Sequence, residues 1–305
     1  MTSVTTTHAP LEPATVVPAR RAHGTRRSIP LTVAMLACVA YFILPLLWLV
    51  IASTKSNSGL FNSFGFAPQL RDFHLWRNVH DVFTHGHGQY IRWFFNTMVY
   101  AVASAAGAGA LAAAAGYGFA KYEFAGKRAA FAVIIVSIMV PGAALTIPSY
   151  LLFAKVGIVN TPWAIIVPSL VSPFGIYLMR VYAADAVSDS LIEAARIDGA
   201  SEVRIFFRIA LRLLAPGIVT VVIFTLVATW NNYFLPLIML NNQHLFPVTV
   251  GLAQWNAQAS GGGGADALFS LVITGSLISV IPLAVAFLLL QRYWQTGLSV
   301  GAITG

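Results

Sequence analysis

The chain has 305 residues, 58% of them apolar and only 9% charged, and a formal net charge of +8. That composition excludes an ordinary soluble domain and points to a polytopic membrane protein. The positive surplus would suit nucleic acid, but Lys and Arg gather at the ends of apolar runs, as membrane topology demands, so no nucleic-acid partner is expected.

Residues 1–29 are rich in Thr, Ala and Pro and carry Arg20, Arg21, Arg26 and Arg27. They read as a disordered basic arm. The apolar run Leu31 to Ala52 is too long for the core of a signal peptide, so it reads as a retained first span. The one cysteine, Cys38, lies inside it, which excludes a disulfide framework. A membrane crossing takes about 20 apolar residues. Six stretches qualify: Pro30–Ser53, Trp93–Phe119, Ala129–Phe153, Trp163–Tyr182, Gly217–Leu240 and Ala267–Gln291. The expected fold is therefore all-α, with a membrane domain over residues 30–292 and a short tail over 293–305.

Basic residues set the orientation. The arm, the loop with Lys121, Lys127 and Arg128, the segment with Arg196, Arg204, Arg208 and Arg212, and Arg292 all fall on one side. The opposite loops carry Lys55, Arg71, Arg77, Arg92 and Lys155. The bias puts both termini in the cytoplasm. The first outer loop, Thr54 to Tyr90, is long and aromatic and is expected to pack at the interface. Its His74, His80, His85 and His87 lack the Asp, Glu or Cys pattern that would complete a metal site, so no metal is expected.

In the second span Ser104, Gly107, Ala108, Gly109, Ala112, Ala113, Gly116 and Gly118 are spaced to let helices approach closely. No G-x-x-x-x-G-K-[ST] loop occurs; Gly126-Lys127 has Lys121 where the first Gly belongs, and Arg128 follows. Any ATP chemistry must lie on another chain. Pro141, Pro148, Pro168 and Pro173 mark either kinks around a central path or irregular packing. No clustered nucleophile, acid–base set or metal site is present, so no catalytic residue is expected.

Between the fourth and fifth spans lies the longest charged island, Ser190 to Pro216. Ser190 and Glu193 fit a capping box, predicting a helix from about Leu191 that Gly199 ends. A second helix should start near Ser201 and Glu202, with Arg204, Arg208 and Arg212 on one stripe. The fifth span ends in Trp230-Asn231-Asn232-Tyr233, whose adjacent amides are costly in lipid unless they face a cavity or bond another helix.

Glu193-Ala194-Ala195, Gly199 six positions after the Glu, and Ile209 and Leu211 resemble the EAA loop of bacterial ABC-importer permeases. Arg196 to Ser201 looks like the carbohydrate-importer branch that contains the maltose-type permeases. Arg212 stands where the family often has Pro, whereas Pro216 keeps a second family proline. Phe95-Asn96-Thr97, the Asn231-Asn232-Tyr233 run, Pro247 to Leu252 and the closing Gly301-Ala302-Ile303-Thr304-Gly305 also resemble the family, with Thr304 in place of Lys. The resemblance implies a type I importer permease fold of six helices in the bacterial inner membrane. Within 185–216, Glu193, Ala194, Ala195, Asp198 and Gly199 would form a coupling helix seated on an ATPase subunit. Asn96, Asn231, Asn232 and Tyr233 would lie near the substrate path. Gly261, Gly262, Gly263 and Gly264 would form a tip that docks the binding protein, or a solvated linker. Partners would be a homologous second permease, two ATPase subunits that hold ATP and Mg, an extracytoplasmic solute-binding protein and lipid. This chain would bind no cofactor. The rival readings are a secondary transporter, which would need intramembrane ionisable residues, and a non-transporting scaffold.

Overall fold

The computed structural model describes residues 28–68, 73–261 and 267–299. The basic arm, Gly262–Gly264 and the closing Gly-Ala-Ile-Thr-Gly lie outside those residues. The chain divides into two compact units, Met1–Leu46 and Leu47–Gly305. Helix α1, Ile29–Ser53, accounts for the described part of the first; the second holds the remaining elements.

In the second unit α2 is Asn57–Asn62, α3 Leu75–Lys121, α4 Lys127–Ile138, α5 Gly142–Lys155, α6 Trp163–Leu170 and α7 Pro173–Ala186. Then come α8 Asp189–Ile197, α9 Glu202–Ile205, a π turn Phe206–Ala210, and α10 Leu211–Trp230. The last elements are α11 Phe234–Met239, α12 Val248–Ser260 and α13 Ala267–Ser299. No strand occurs among the described residues. Five helices are long and apolar enough to cross a membrane, and α4 with α5 makes a sixth crossing if that bent pair counts as one.

The organising element is α3. Its outer part is not the loop expected from the sequence. Leu75 onward is helical, and Val82 and Tyr90 are fully buried. The helix breaks only at His85–Gly88, where Gly86, His87 and Gly88 all take positive φ. From Gln89 to Lys121 it runs about 50 Å at a rise of about 1.5 Å per residue. A hydrocarbon layer is about 30 Å thick, so α3 projects beyond it. Its small residues do what their spacing predicted. A Cβ on Gly116 would sit 2.5 Å from the Met179 Cβ and 2.7 Å from the Arg180 backbone N, so α3 and α7 touch backbone to backbone. Gly109 instead takes the Val222 side chain of α10, whose methyl carbon would lie 2.7 Å from a Cβ there.

Other expected spans need redrawing. The third is not one helix: α4 and α5 meet at 109°. Pro141 caps α5 in extended conformation and has no N–H to continue a ladder. Pro173 starts α7, with the Ser172 hydroxyl accepting from Gly175 N at 3.1 Å. Pro148 and Pro168, in contrast, sit inside continuing helices. The fifth span begins earlier than expected, at Glu202, and stops at Trp230. Most of the last connection is not a linker. Residues 248–260 form α12, with Val248, Gly251, Leu252 and Trp255 buried. Gly251 packs so closely on the Trp93 ring that no side chain fits there.

Candidate functional site

Two regions matter: the elbow around α8 and a set of cavities at the helix breaks. In the elbow the helix starts before the expected position. Ser188, not Ser190, is the N-cap; it makes no side-chain cap bond, and its carbonyl accepts from Leu191 N and Ile192 N at 3.2 and 3.4 Å. The Ser190–Glu193 capping box does not form; the Ser190 hydroxyl donates to Ser188 Oγ at 3.3 Å. Asp189 occupies the first turn, where a carboxylate suits the helix dipole, and accepts from Lys121 Nζ at 2.8 Å.

The helix ends where the glycine predicted. Gly199 has φ +77°, its N–H donates to Arg196 O at 3.0 Å, and Ala200 N donates to Ala195 O at 2.9 Å. This pair of bonds is a Schellman ending, and it requires the left-handed residue. Ser201 then caps α9 by accepting from Arg204 N.

The elbow has two sides. Ile192 and Ala195 are buried in a core with Ala112, Ala113 and Tyr117 of α3, Met179 and Ala183 of α7, and Ile205, Ala210 and Leu214 beyond the elbow. Glu193, Ala194, Asp198 and Gly199 are exposed, and Ile197 is 87% exposed. Ala195, grouped with the contact residues by resemblance, therefore faces the body of the subunit. The π turn explains how the next helix keeps its own face inward. Fully buried Ile205 and Ala210 are five residues apart, whereas Ala210 and Leu214 are four apart. The wider turn absorbs the extra residue. It also interrupts the strict i, i+4 register expected for Arg204, Arg208 and Arg212, although all three stay exposed.

Polar ties add direction. Glu202 accepts from Arg196 Nε at 2.6 Å on one oxygen and from the Tyr122 hydroxyl at 2.7 Å on the other. Burial, with the Glu202 hydrogen bond adding to it, pushes the Tyr122 phenol above its usual range. The Arg196 guanidinium is likewise held up by its hydrogen bond to Glu202. Sequence reasoning placed Glu202 at the start of the second elbow helix but missed its partners, and missed Tyr122 and Lys121 as elbow residues. The one available signal was that acids are scarce, 10 in the whole chain, so each calls for a partner.

The cavities lie where helices break. One of about 690 Å³ is lined by Ser137, Thr146 and Ser149 from the α4–α5 bend, Ser169 and Val171 from the α6–α7 break, and Asn232 and Phe234 from the α10–α11 break. A second, of about 340 Å³, shares Ser169, Val171 and Asn232 and adds Ser172, Phe224, Thr225 and Thr229. Three interrupted spans thus turn hydroxyls, an amide and aromatic rings onto one space, and no ionisable side chain lines either cavity.

The path residues drawn from resemblance separate here. Asn232 lines both cavities, and its Oδ1 accepts from Leu235 N at 3.3 Å. Asn231 bonds back to Val227 O and, with Tyr233, lines a separate cavity of about 290 Å³ beside Thr249, Ser276 and Ser279. Asn96 lines neither of the two main cavities; its amide donates to His244 O at 2.8 Å and Phe246 O at 3.0 Å. Next to it, Thr97 Oγ1 accepts from Val248 N at 2.8 Å. The pair clasps the start of α12, whose Pro247 cap supplies no side-chain bond. Asn160, not singled out beforehand, takes φ +60° and accepts from both Asn241 N and Asn242 N. Gly261 ends α12 and is exposed.

An all-helical membrane subunit with broken spans around cavities that set a few hydroxyls and an amide among apolar side chains, and with a projecting, firmly backed elbow, suits a transport component. Residues 105–299 match the family described as the inner membrane component of binding-protein-dependent transport systems, and the chain belongs to that family. It is 30% identical over 275 residues to the arabinooligosaccharides transport system permease protein AraQ of Halalkalibacterium halodurans, covering 89% of this chain and 94% of that one. It is 31% identical over 281 residues to the melibiose/raffinose/stachyose import permease protein MelC of Bacillus subtilis, covering 92% and 97%. The fold is similar to a chain of a bacterial ABC transporter that imports the acidic polysaccharide alginate, with a TM-score of 0.75 at 20% identity, covering 87% of this chain and 95% of that one.

Proposed function

We propose that this chain is one of two homologous permease subunits of an ATP-driven importer that carries a neutral sugar or similar polyhydroxyl solute across the bacterial inner membrane. Two ATPase subunits holding ATP and Mg sit on the cytoplasmic side, and a solute-binding protein delivers solute from outside. Both termini and the elbow face the cytoplasm, in keeping with the distribution of Lys and Arg. Relatives named for arabinooligosaccharides and for melibiose, raffinose and stachyose support the solute class. So does the cavity lining, which offers hydroxyls, an amide and aromatic rings and no charge. In this reading residues 30–292 are the permease domain, 185–216 the coupling loop, and the stretch from Gly261 through Gly264 contacts the binding protein.

The observation that carries the proposal is the elbow: an exposed knob, Glu193, Ala194, Ile197, Asp198 and Gly199, backed by a core that reaches four other helices. ATP binding closes the ATPase pair, the knob moves with it, and the helices behind rock from inward-open to outward-open. The knob must fit the two ATPase states differently for this to work. The Gly199→Asp variant tests it. A Cβ there meets nothing within 4 Å, so the new charge lands on the exposed face without a clash; φ +77° strains any side chain, so Gly199→Asn, which carries that strain without the charge, is the control. Uptake should collapse at normal membrane insertion; normal uptake by this variant refutes the coupling role.

A further inference from the structure

Apolar contacts alone would leave the elbow underdetermined. Ile192 and Ala195 set which face of α8 is buried and how deeply, but two apolar contacts near its middle do not fix the direction of its axis, because burial is non-directional. Polar ties at its two ends do. At the N-terminal end Asp189 meets Lys121, the last residue of α3. At the other end Arg196 meets Glu202, which also holds Tyr122, the residue that caps α3. Glu202 opens α9 and hence the helical run that continues to Trp230. One carboxylate thus joins the knob helix, the tip of the long α3 and the start of the next span, with a different partner on each oxygen.

We propose that Glu202 is the joint of the coupling lever, the positioning residue that makes the α8 knob, α3 and the Glu202–Trp230 helix turn as one piece. This rests on the coupling role of the elbow. Both members of the Arg196–Glu202 pair are close to half exposed, at 47% and 45%. Such pairs contribute little to folding stability, so the value of this one lies in fixing direction. Losing it should let the ATPase drive the knob without driving the spans.

The test uses the complete importer in proteoliposomes, with binding protein and solute, and reads ATP hydrolysis and uptake separately. Glu202→Gln, which keeps the shape, and Glu202→Ala should both insert and hydrolyse ATP, with uptake per ATP down at least about fivefold, the lower end of usual coupling. The reversed pair, Arg196→Glu with Glu202→Arg, should recover most of the loss, which ties the effect to the pair, while normal insertion and ATP hydrolysis of the single variants exclude a folding defect. Unchanged uptake per ATP in both single variants overturns the joint, as does a reversed pair no better than the singles. Gly199→Asp is run alongside. If it uncouples while the Glu202 variants do not, the joint is wrong and the coupling elbow stands; if it is silent too, the elbow itself is misassigned.

Discussion

The elbow end and the waist of this subunit use the same residue types to opposite ends. At the elbow end, Gly116 lets α3 press on α7, and the core behind α8 closes around it. At the waist, Gly142 follows the Pro141 break and a Cβ there would meet nothing within 4 Å. One glycine is a contact and the other a consequence of interruption. Together they contrast a densely packed end with a middle where interrupted spans leave open space. Spans are broken only where their freed backbone groups can face a cavity or neighbouring protein. The packed end has buried apolar side chains from five helices, whereas α4 contributes none to any core.

Paired glycine substitutions test this contrast most severely. Gly116→Val should cost about 1–3 kcal/mol or more through overpacking against backbone, seen as lost yield and a lower melting temperature in detergent. Gly142→Ala should be neutral or gain up to about 1 kcal/mol from a less flexible unfolded chain. Equal effects would erase the distinction between the two ends.

The waist itself divides into clasp and path. Asn96→Ala removes the hydrogen bonds to the carbonyls of His244 and Phe246 and should cost about 0.5–1.5 kcal/mol of stability per bond, with solute preference unchanged in the surviving protein. Asn232→Leu should act the other way. Losing one polar contact to solute is worth about 1 kcal/mol, so uptake at low solute should fall about fivefold with little change in melting. A shift of solute preference in the Asn96 variant would mean that the path runs on the clasp side.

The smallest effect is expected at Asp189, which is 80% exposed. Asp189→Asn should leave the melting temperature within error, and any loss of coupling should be mimicked in the parent protein by high salt, which screens the Lys121 pair. A large melting shift would show that the N-terminal tie is structural and not merely directional.

Much of this was legible in the chain. Six apolar runs, the exposed elbow, its ending at Gly199 and the close-packing stripe of the second span all follow from properties of adjacent residues. Hydropathy needs only a window, and a left-handed C-cap needs only a glycine at the right step. The features that the sequence left open share another character. Asn96 was placed near the path by resemblance alone; its amide bonds carbonyls 148 and 150 residues away. The first turn of α8 holds Asp189, whose partner Lys121 lies 68 residues upstream. The π turn exists because Ile205 and Ala210 must both face a core assembled from other helices.

What the sequence by itself determined is therefore which segments enter the membrane and where the elbow can turn, because those costs are set locally by solvation and by φ. Only the tertiary structure decided that a span breaks at 109° between α4 and α5, which amide faces the cavity, and that Glu202 binds two elements at once. A buried or half-buried polar group takes whichever partner the packed chain brings within hydrogen-bond reach, and reach in space is not written in sequence order.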